Sequence, residues 1–357
     1  MSKKLSVAIL FGGRSVEHDI SVISAQNVAK YIDKNLYDPI FIGITTEGGW
    51  YKCESVDKDI EKGQPLRMKL DARACAFTTT SGSFSVDVAF PVLHGTDGED
   101  GSIQGLLKAM DLPFVGSGVL GSSVAMDKLI SKKLLEADGI PVCPYVAFQK
   151  SEKGQYDFEK VVAIVGLPMI VKPAGLGSSV GVTKIKSESD FDDAINETFK
   201  YDDSLLIEQF VEGRELECAI LGNENPIASE PGEIIVNDDY EFYTFDAKYV
   251  DKEAAKLVMP AVVQAETVEK IKTLSLRAYD ILKCEDLSRV DLFLTEDGQV
   301  FVNEINTIPG FTNSSMYPKL FELAGISYTE LITKLIQFGI AKFKKLQDLE
   351  TSYDSGL

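Results

Sequence analysis

Between Arg289 and Asn306 the chain reads as two strand patterns around Asp297-Gly298, with Arg289 and Asp291 before the turn and Glu304 and Asn306 after it. Asp-Gly flanked by alternating apolar residues is a short-range hairpin signal. If Asp297-Gly298 is a two-residue loop, Glu296 faces Gln299, Asp291 faces Glu304 and Arg289 faces Asn306. The period of two then puts all four on one face, with Phe293 and Val302 beside them. Carboxylates set directly opposite each other repel, so the pairing calls for a compensating cation. Oxygen ligands from Asp, Glu and Asn suit Mg²⁺ or Mn²⁺ bridging to phosphates, and with neither Cys nor His in the set zinc is a poor match. The plainer alternative is a solvated polar face in which Arg289 neutralises the acids.

A second candidate runs from Lys172 to Lys184. Two strand-like ends bracket Gly175, Gly177, Ser178, Ser179 and Gly181. Glycines let backbone N–H groups approach phosphate oxygens, and lysine supplies a point charge. It is not a Walker A loop, because no Gly-Lys-[Ser/Thr] follows; a flexible hairpin loop is the alternative. Gly116-Ser117-Gly118-Val119-Leu120-Gly121 matches the G-x-G-x-x-G string of dinucleotide sites, but Pro141 and Pro144 interrupt the strand that should follow. A turn and linker explains it better.

These residues need elements to hold them. Apolar runs at residues 7–11, 39–44, 87–93 and 112–115 alternate with helical spacing at 21–31 and 101–110, the pattern of a parallel α/β domain. Residues 57–85 are mixed and resist placement. A helix over 125–137 stops at Gly139, and Pro141 and Pro144 form a rigid connector. Strand-like runs at 168–172, 180–185, 205–210 and 215–221 around a helix at 188–199 predict a small α+β unit. A helix over 265–282, the acidic hairpin and a helix over 328–345 follow. The expected division is 1–124, 125–221 and 222–357.

The 357 residues carry 36 Lys+Arg against 55 Asp+Glu, a formal charge of −19, with 45% hydrophobic residues. This is the composition of a globular chain with a substantial core. The acidic balance argues against a nucleic-acid partner, which needs concentrated Lys and Arg. No apolar run approaches the roughly 18 residues of a membrane span, and the N-terminus reads as a first strand rather than a signal peptide. Five scattered cysteines, Cys53, Cys75, Cys143, Cys218 and Cys284, suit reduced thiols in a cytoplasmic protein.

Seven ordered strings together resemble the D-alanine:D-alanine ligases of the ATP-grasp superfamily over essentially the whole chain. They are the Leu10–His18 string, the His94–Gly105 string with Glu99, Met126-Asp127-Lys128, the Lys172–Lys184 loop, and the run from Glu208 through Val211 to Glu217. The Arg289–Asn306 hairpin and the Thr307–Pro318 string with Gly310, Ser315 and Met316 complete the set. The resemblance implies a three-domain ATP-grasp fold of α/β and α+β units, with an N-terminal parallel α/β domain and ATP held between the central and C-terminal domains. It implies cytoplasmic synthesis of D-alanyl-D-alanine for peptidoglycan, with no nucleic-acid or membrane partner, from a homodimer.

By resemblance, Lys128 and Lys172 contact the phosphates and the purine side, and the loop with Ser178 and Ser179 folds over the triphosphate. Glu208, Val211 and Glu215 line the adenosine pocket, and Lys248 joins the nucleotide contacts. Asp291, Glu304 and Asn306 would hold two Mg²⁺ or Mn²⁺ ions. Arg289 and the Gly310 N–H would form an oxyanion hole. Glu17 would bind the first ammonium and share a hydrogen-bonded triad with Ser178 and Tyr249, His94 would lie near the first substrate, and Ser315 with Met316 would receive the second carboxylate. Taken singly, Glu17-His18 could be only a helix N-terminus, His94 a loop residue and Tyr249 a strand aromatic. Tyr243-Thr244-Phe245-Asp246-Ala247 lacks the Asp-Tyr pair usual before Lys248-Tyr249. Relatives making D-alanyl-D-lactate lack that tyrosine, so dipeptide synthesis is expected over D-lactate or another acceptor. A non-catalytic ATP-binding protein on the same fold is the remaining alternative.

Overall fold

The computed structural model describes residues 3–70, 76–152, 154–237 and 254–350. Three main sheets organise them. The first has the strand order Gln64–Pro65, Trp50–Cys53, Tyr37–Ile44, Leu5–Gly12, Val88–Pro91, and its last three strands are parallel. Val7, Ala8, Ile9, Leu10 and Phe11 are all fully buried. Because side chains alternate across a strand, Val7, Ile9 and Phe11 enter one core and Ala8 and Leu10 another. The first core is shared with the chain's C-terminal part: Val22, Ala25 and Val28 of the helix His18–Tyr31 cluster with Phe311, Tyr317, Leu331 and Leu335. This apolar contact fixes the N-terminal unit against the segment that follows the acidic hairpin.

The second sheet is antiparallel, in the order Thr183–Ile185, Met169–Pro173, Ser204–Gln209, Tyr145–Gln149. The helices Phe158–Val165 and Glu188–Thr198 cover it, with Val161, Phe191 and Ile195 against Val171 and Ile207. The third runs Ala255–Val258, Gly232–Val236, Gly213–Leu221, Leu287–Thr295, Val300–Asn306, with Ile227–Ala228 also paired to Gly213–Leu221. The helix Ala265–Ile281 covers its apolar face.

Several expectations shift. The helix expected over 125–137 is two, Val119–Met126 and Lys128–Ala137. Asp127 breaks them: its carboxylate accepts from the N–H groups of Leu129 and Ile130 at 2.9 and 3.0 Å, an N-cap that starts the second helix at Lys128. The run at 112–115 contributes only a single bridge from Phe114 to Ala89. The strand expected over 180–185 is confined to Thr183–Ile185. Residues 57–85 include the short helix Ile60–Lys62 and a small sheet of Arg67–Met68, Ala76–Thr79 and Gly82–Ser85. Gly213–Leu221 pairs along its whole length with Leu287–Thr295, so by hydrogen bonding the strand that ends at the expected boundary after Leu221 belongs with the C-terminal sheet.

Candidate active site

The hairpin strands Leu287–Thr295 and Val300–Asn306 set Asp291 opposite Glu304 and Arg289 opposite Asn306, the pairing that the spacing predicts. The route to it differs. The loop holds residues 296–298, closed by the Thr295 N–H donating to the Gln299 carbonyl at 3.0 Å, with Gly298 left-handed at φ +82°. Pairing therefore slips by one, placing Phe293 opposite Phe301, until an irregularity between Asp291 and Leu292 restores it. The two departures cancel only at the acidic end. Val302, expected beside Phe293 on the acidic face, pairs instead with Leu292 inside the core. Asn303, the extra residue, turns its amide oxygen to Lys172 Nζ at 3.1 Å.

Glu217 stands opposite Asp291 on the neighbouring strand, so Glu217, Asp291 and Glu304 form a row across three strands. Arg289 crosses this row. Its Nε and Nη2 donate to Asp291 Oδ1 and Oδ2 at 2.6 and 2.7 Å, and Nε also lies 3.1 Å from Glu217 Oε1. Asn306 Nδ2 donates to Asp291 Oδ2 at 3.0 Å. Burial works against the charged guanidinium, but Asp291 and then Glu217 outweigh it and hold its pKa well above the ordinary value. Lys128 closes the row's far end, 3.2 Å from Glu304 Oε2, while donating to the Leu176 carbonyl at 2.6 Å.

Lys172 and Glu208 are diagonal neighbours on one face of the second sheet. Their Nζ and Oε2 are 2.9 Å apart, and Lys132 Nζ approaches Glu208 Oε1 at 3.2 Å from the helix Lys128–Ala137. Lys132 is fully buried. Among the described residues its Nζ and Glu208 Oε1 meet as charges without hydrogen-bond geometry. Burial raises the Glu208 carboxyl, yet Lys132 and Lys172 reverse this and hold it below its usual range. Burial likewise opposes the Lys172 charge, and Glu208 followed by Glu304 raises its pKa. Lys172 thus ties the second sheet to the hairpin.

The glycine-rich loop reaches the N-terminal unit. Ser178 and Ser179 are both left-handed, at φ +55° and +59°, which carries the chain over without a helix, and Ser178 Oγ donates to Glu17 Oε1. Glu17 is buried at the start of the helix His18–Tyr31. Gly95 is required here: it has φ +72°, and a Cβ would fall 2.5 Å from Glu17 Oε2. Val211 and Glu215 are half-buried where the second and third sheets join. Lys248 and Tyr249 lie outside the described residues, so the expected triad is described only for Glu17 and Ser178.

His94 is buried with both ring nitrogens engaged by protein: Nδ1 is 2.9 Å from the Ile308 carbonyl and Nε2 is 2.9 Å from Ser24 Oγ. A carbonyl only accepts, so Nδ1 carries the proton and Nε2 accepts from the hydroxyl. Burial lowers the His94 pKa and favours this neutral ring. Glu99 accepts from the Gly95 and Ile308 N–H groups at 2.8 and 2.9 Å. Beyond Gly310, the Phe311 N–H donates to Ser24 Oγ at 3.3 Å and its carbonyl accepts from Asn27 Nδ2 at 3.1 Å. Gly310 is therefore anchored on both sides. Ser315 Oγ accepts from the Thr312 N–H at 2.9 Å. The Met316 side chain is buried, so what Met316 can offer a carboxylate is its N–H in the first turn of Met316–Leu323.

An open cavity of about 370 Å³ at the carboxyl ends of the parallel strands is lined by Gly12, Arg14, Trp50, Leu93 and His94, whereas another of about 440 Å³ beside His18, Lys58 and Lys62 touches none of the expected site residues. The G-x-G-x-x-G string has a different use: the Gly116 and Gly118 N–H groups donate to the carboxylates of Asp286 and Glu285 at 2.8 and 3.1 Å.

Hard oxygen donors in the acidic row fit a divalent cation by chemistry. Among the described residues no three His, Cys, Asp or Glu side chains form a metal cluster, so the expected set reaches three ligands only through Asn306. Glu217, Glu99, Asn303, Lys132 and Ser24 were missed as functional candidates. Glu217 had a readable signal, because Glu215 and Glu217 alternate along a strand. The others depend on contacts between residues far apart in the chain.

The description "D-ala D-ala ligase N-terminus" matches residues 6–117, and "D-ala D-ala ligase C-terminus" matches residues 134–337. The chain is 43% identical to D-alanine--D-alanine ligase A of Chromobacterium violaceum over 98% of this chain and 99% of that one. It is 44% identical to D-alanine--D-alanine ligase of Shouchella clausii over 99% of each. The solved D-alanine-D-alanine ligase of Coxiella burnetii superposes with a TM-score of 0.86 at 34% identity, covering 97% of both chains. VanG D-Ala:D-Ser ligase from Enterococcus faecalis also gives 0.86 at 34% identity, over 94% of this chain and all of that one. With both halves matched and the likeness running almost end to end, the chain belongs to the D-alanine–D-alanine ligase family.

Proposed function

We infer that this chain is an ATP-dependent ligase that joins two D-alanine molecules into D-alanyl-D-alanine for peptidoglycan synthesis. Family membership supports the reaction. The observation that carries its assignment to this cleft is the convergence of Lys128 and Lys172, from two separate elements, on Glu304 and Asn303 of one hairpin, beside the Ser178–Glu17 contact.

A carboxylate is a poor electrophile, so the first D-alanine carboxylate attacks the γ-phosphate of ATP to give an acyl phosphate and ADP. In this reading Lys128 and Lys172 bind the phosphates, while Ser178 and Ser179 cover them. Asp291, Glu304 and Asn306 would hold Mg²⁺ or Mn²⁺, which when bound neutralises charge on the transferring group. Glu17 binds the first ammonium and keeps that D-alanine oriented. The second D-alanine's amine then attacks the acyl carbon, and phosphate leaves once the amine has lost a proton. Arg289 and the Gly310 N–H face the oxyanion, a class of donor worth about 10²–10³ in rate. Ser315 and the Met316 N–H receive the second carboxylate.

His94 acts in this account by anchoring the peptide before Gly310, since both its ring nitrogens are engaged. Cytoplasmic location is supported by the free thiols of Cys53, Cys143, Cys218 and Cys284. We propose three units and a homodimer, the latter on family likeness alone. No helix among the described residues is long and apolar enough to cross a membrane. The test is a coupled assay with ATP, Mg²⁺ and D-alanine. One ADP and one phosphate should appear per dipeptide, only when D-alanine is present. Folded protein that releases no ADP at millimolar D-alanine overturns the reading.

A further inference from the structure

Arg289 and Asp291 pose a conflict of use. Both Asp291 oxygens are taken by the guanidinium, at 2.6 and 2.7 Å. The proposed reaction needs Asp291 for a divalent cation and Arg289 for the oxyanion, and a cation on this carboxylate repels the guanidinium that already donates to both of its oxygens. Glu217 lies directly across the strand from Asp291, is buried to 5% exposure, and already stands 3.1 Å from Arg289 Nε. It is the carboxylate that can keep the guanidinium in place. The row also holds three carboxylates, Glu217, Asp291 and Glu304, against the two cations Arg289 and Lys128.

We propose that Glu217 is a positioning residue that holds Arg289 when Asp291 turns to the metal, so that the arginine and the cation do not compete for one carboxylate. The proposal rests on the ligase reading for the role of Arg289, but its metal arm does not need turnover. With Glu217 neutral, Asp291 is the leading charge left to hold Arg289, and an ion on Asp291 competes with the guanidinium for it.

The test compares wild type with E217Q, which keeps the shape, and E217D, which keeps the charge. Binding of Mn²⁺ alone to nucleotide-free protein is followed by electron paramagnetic resonance, alongside kcat, the KM for ATP and the melting temperature. E217Q should bind Mn²⁺ about tenfold more weakly and lose about 10–100-fold in kcat, as supporting partners of site groups do. Its KM for ATP should stay within about threefold, and E217D should recover part of both losses. Mn²⁺ affinity and kcat both within about twofold of wild type overturn the proposal, as does a lowered melting temperature with neither changed. If E217Q does not fold, E217D decides: Mn²⁺ affinity and kcat both lowered, each by less than about tenfold, support the positioning role, and both within about twofold of wild type overturn it. Wild type that lacks D-alanine-dependent turnover defeats the ligase reading, while the Mn²⁺ comparison still tests Glu217.

Discussion

Glu208→Gln isolates the buried charge balance beneath the proposed nucleotide site. Glu208 lies between Lys132 at 3.2 Å and Lys172 at 2.9 Å, and the lysine side chains are 0% and 9% exposed. Removing one member of a buried pair costs about 3–5 kcal/mol, because the remaining charges lose their compensation. The glutamine oxygen can still accept one hydrogen bond, so the lower end applies, about 3 kcal/mol. At roughly 2–4 °C per kcal/mol for a large domain, calorimetry at pH 7 should show melting lowered by ~6–12 °C.

The pH dependence has a definite sign. In wild type the Lys172 pKa is raised, so its contribution is complete below 10.5 and is lost only above that. In Glu208→Gln the leading raising influence is gone, and burial lowers the lysine. The folded variant then binds fewer protons than its unfolded chain, and stability rises with pH. The deficit against wild type should shrink between about pH 7 and pH 10. Glu208 itself is held low, so wild-type stability should be lost as acid carries the pH below 4.5 and through the folded value. A variant as stable as wild type, or a deficit flat from neutral to alkaline pH, refutes the reasoning.

Glu99 is pushed up to about 8, by burial first and by Glu17 second. The folded chain keeps a proton that the unfolded chain releases near 4.5, so the stability this supplies is lost as pH rises from 4.5 toward 8. The melting difference between wild type and Glu99→Gln should fall across that window, and a constant difference would remove Glu99 as its source. Glu304→Ala takes one carboxylate from the row and leaves Lys128 without it; metal-dependent ADP release should drop by about 10–100-fold, and unchanged release would exclude Glu304 from the metal set. Gly121→Ala places a Cβ 2.1 Å from the Lys283 carbonyl oxygen, so the fold should lose about 1–3 kcal/mol, read as a lower melting temperature; an unshifted melt would show that the close approach of Gly121 to Lys283 relaxes without cost.

Where local chemistry specifies a feature, the reading from residues alone agrees with the structure. The buried run Val7–Phe11 is a central parallel strand because no polar residue interrupts it, and Asp297-Gly298 marks a turn because glycine accepts a left-handed backbone. The Asp291–Glu304 pairing was correct through two compensating departures, a longer loop and a bulge, neither readable from alternation. Side-chain period is identical on both sides of a bulge, so Val302 and Phe301 could be told apart only in three dimensions.

The sequence by itself determined the family, the order of the elements, and the residue types available to bind phosphate and metal, because spacing and side-chain chemistry are local properties. Tertiary structure decided which of them meet. It placed Glu217 beside Arg289, joined Lys172 to Asn303, and closed both ring nitrogens of His94 against Ser24 and Ile308. The contacting positions are separated by 131 residues for Lys172 and Asn303 and by 214 for His94 and Ile308. The core that packs Val92 with Phe311 brings the second pair together, while Lys172 and Asn303 border different cores and meet between them; neither kind of packing leaves local periodicity in the chain.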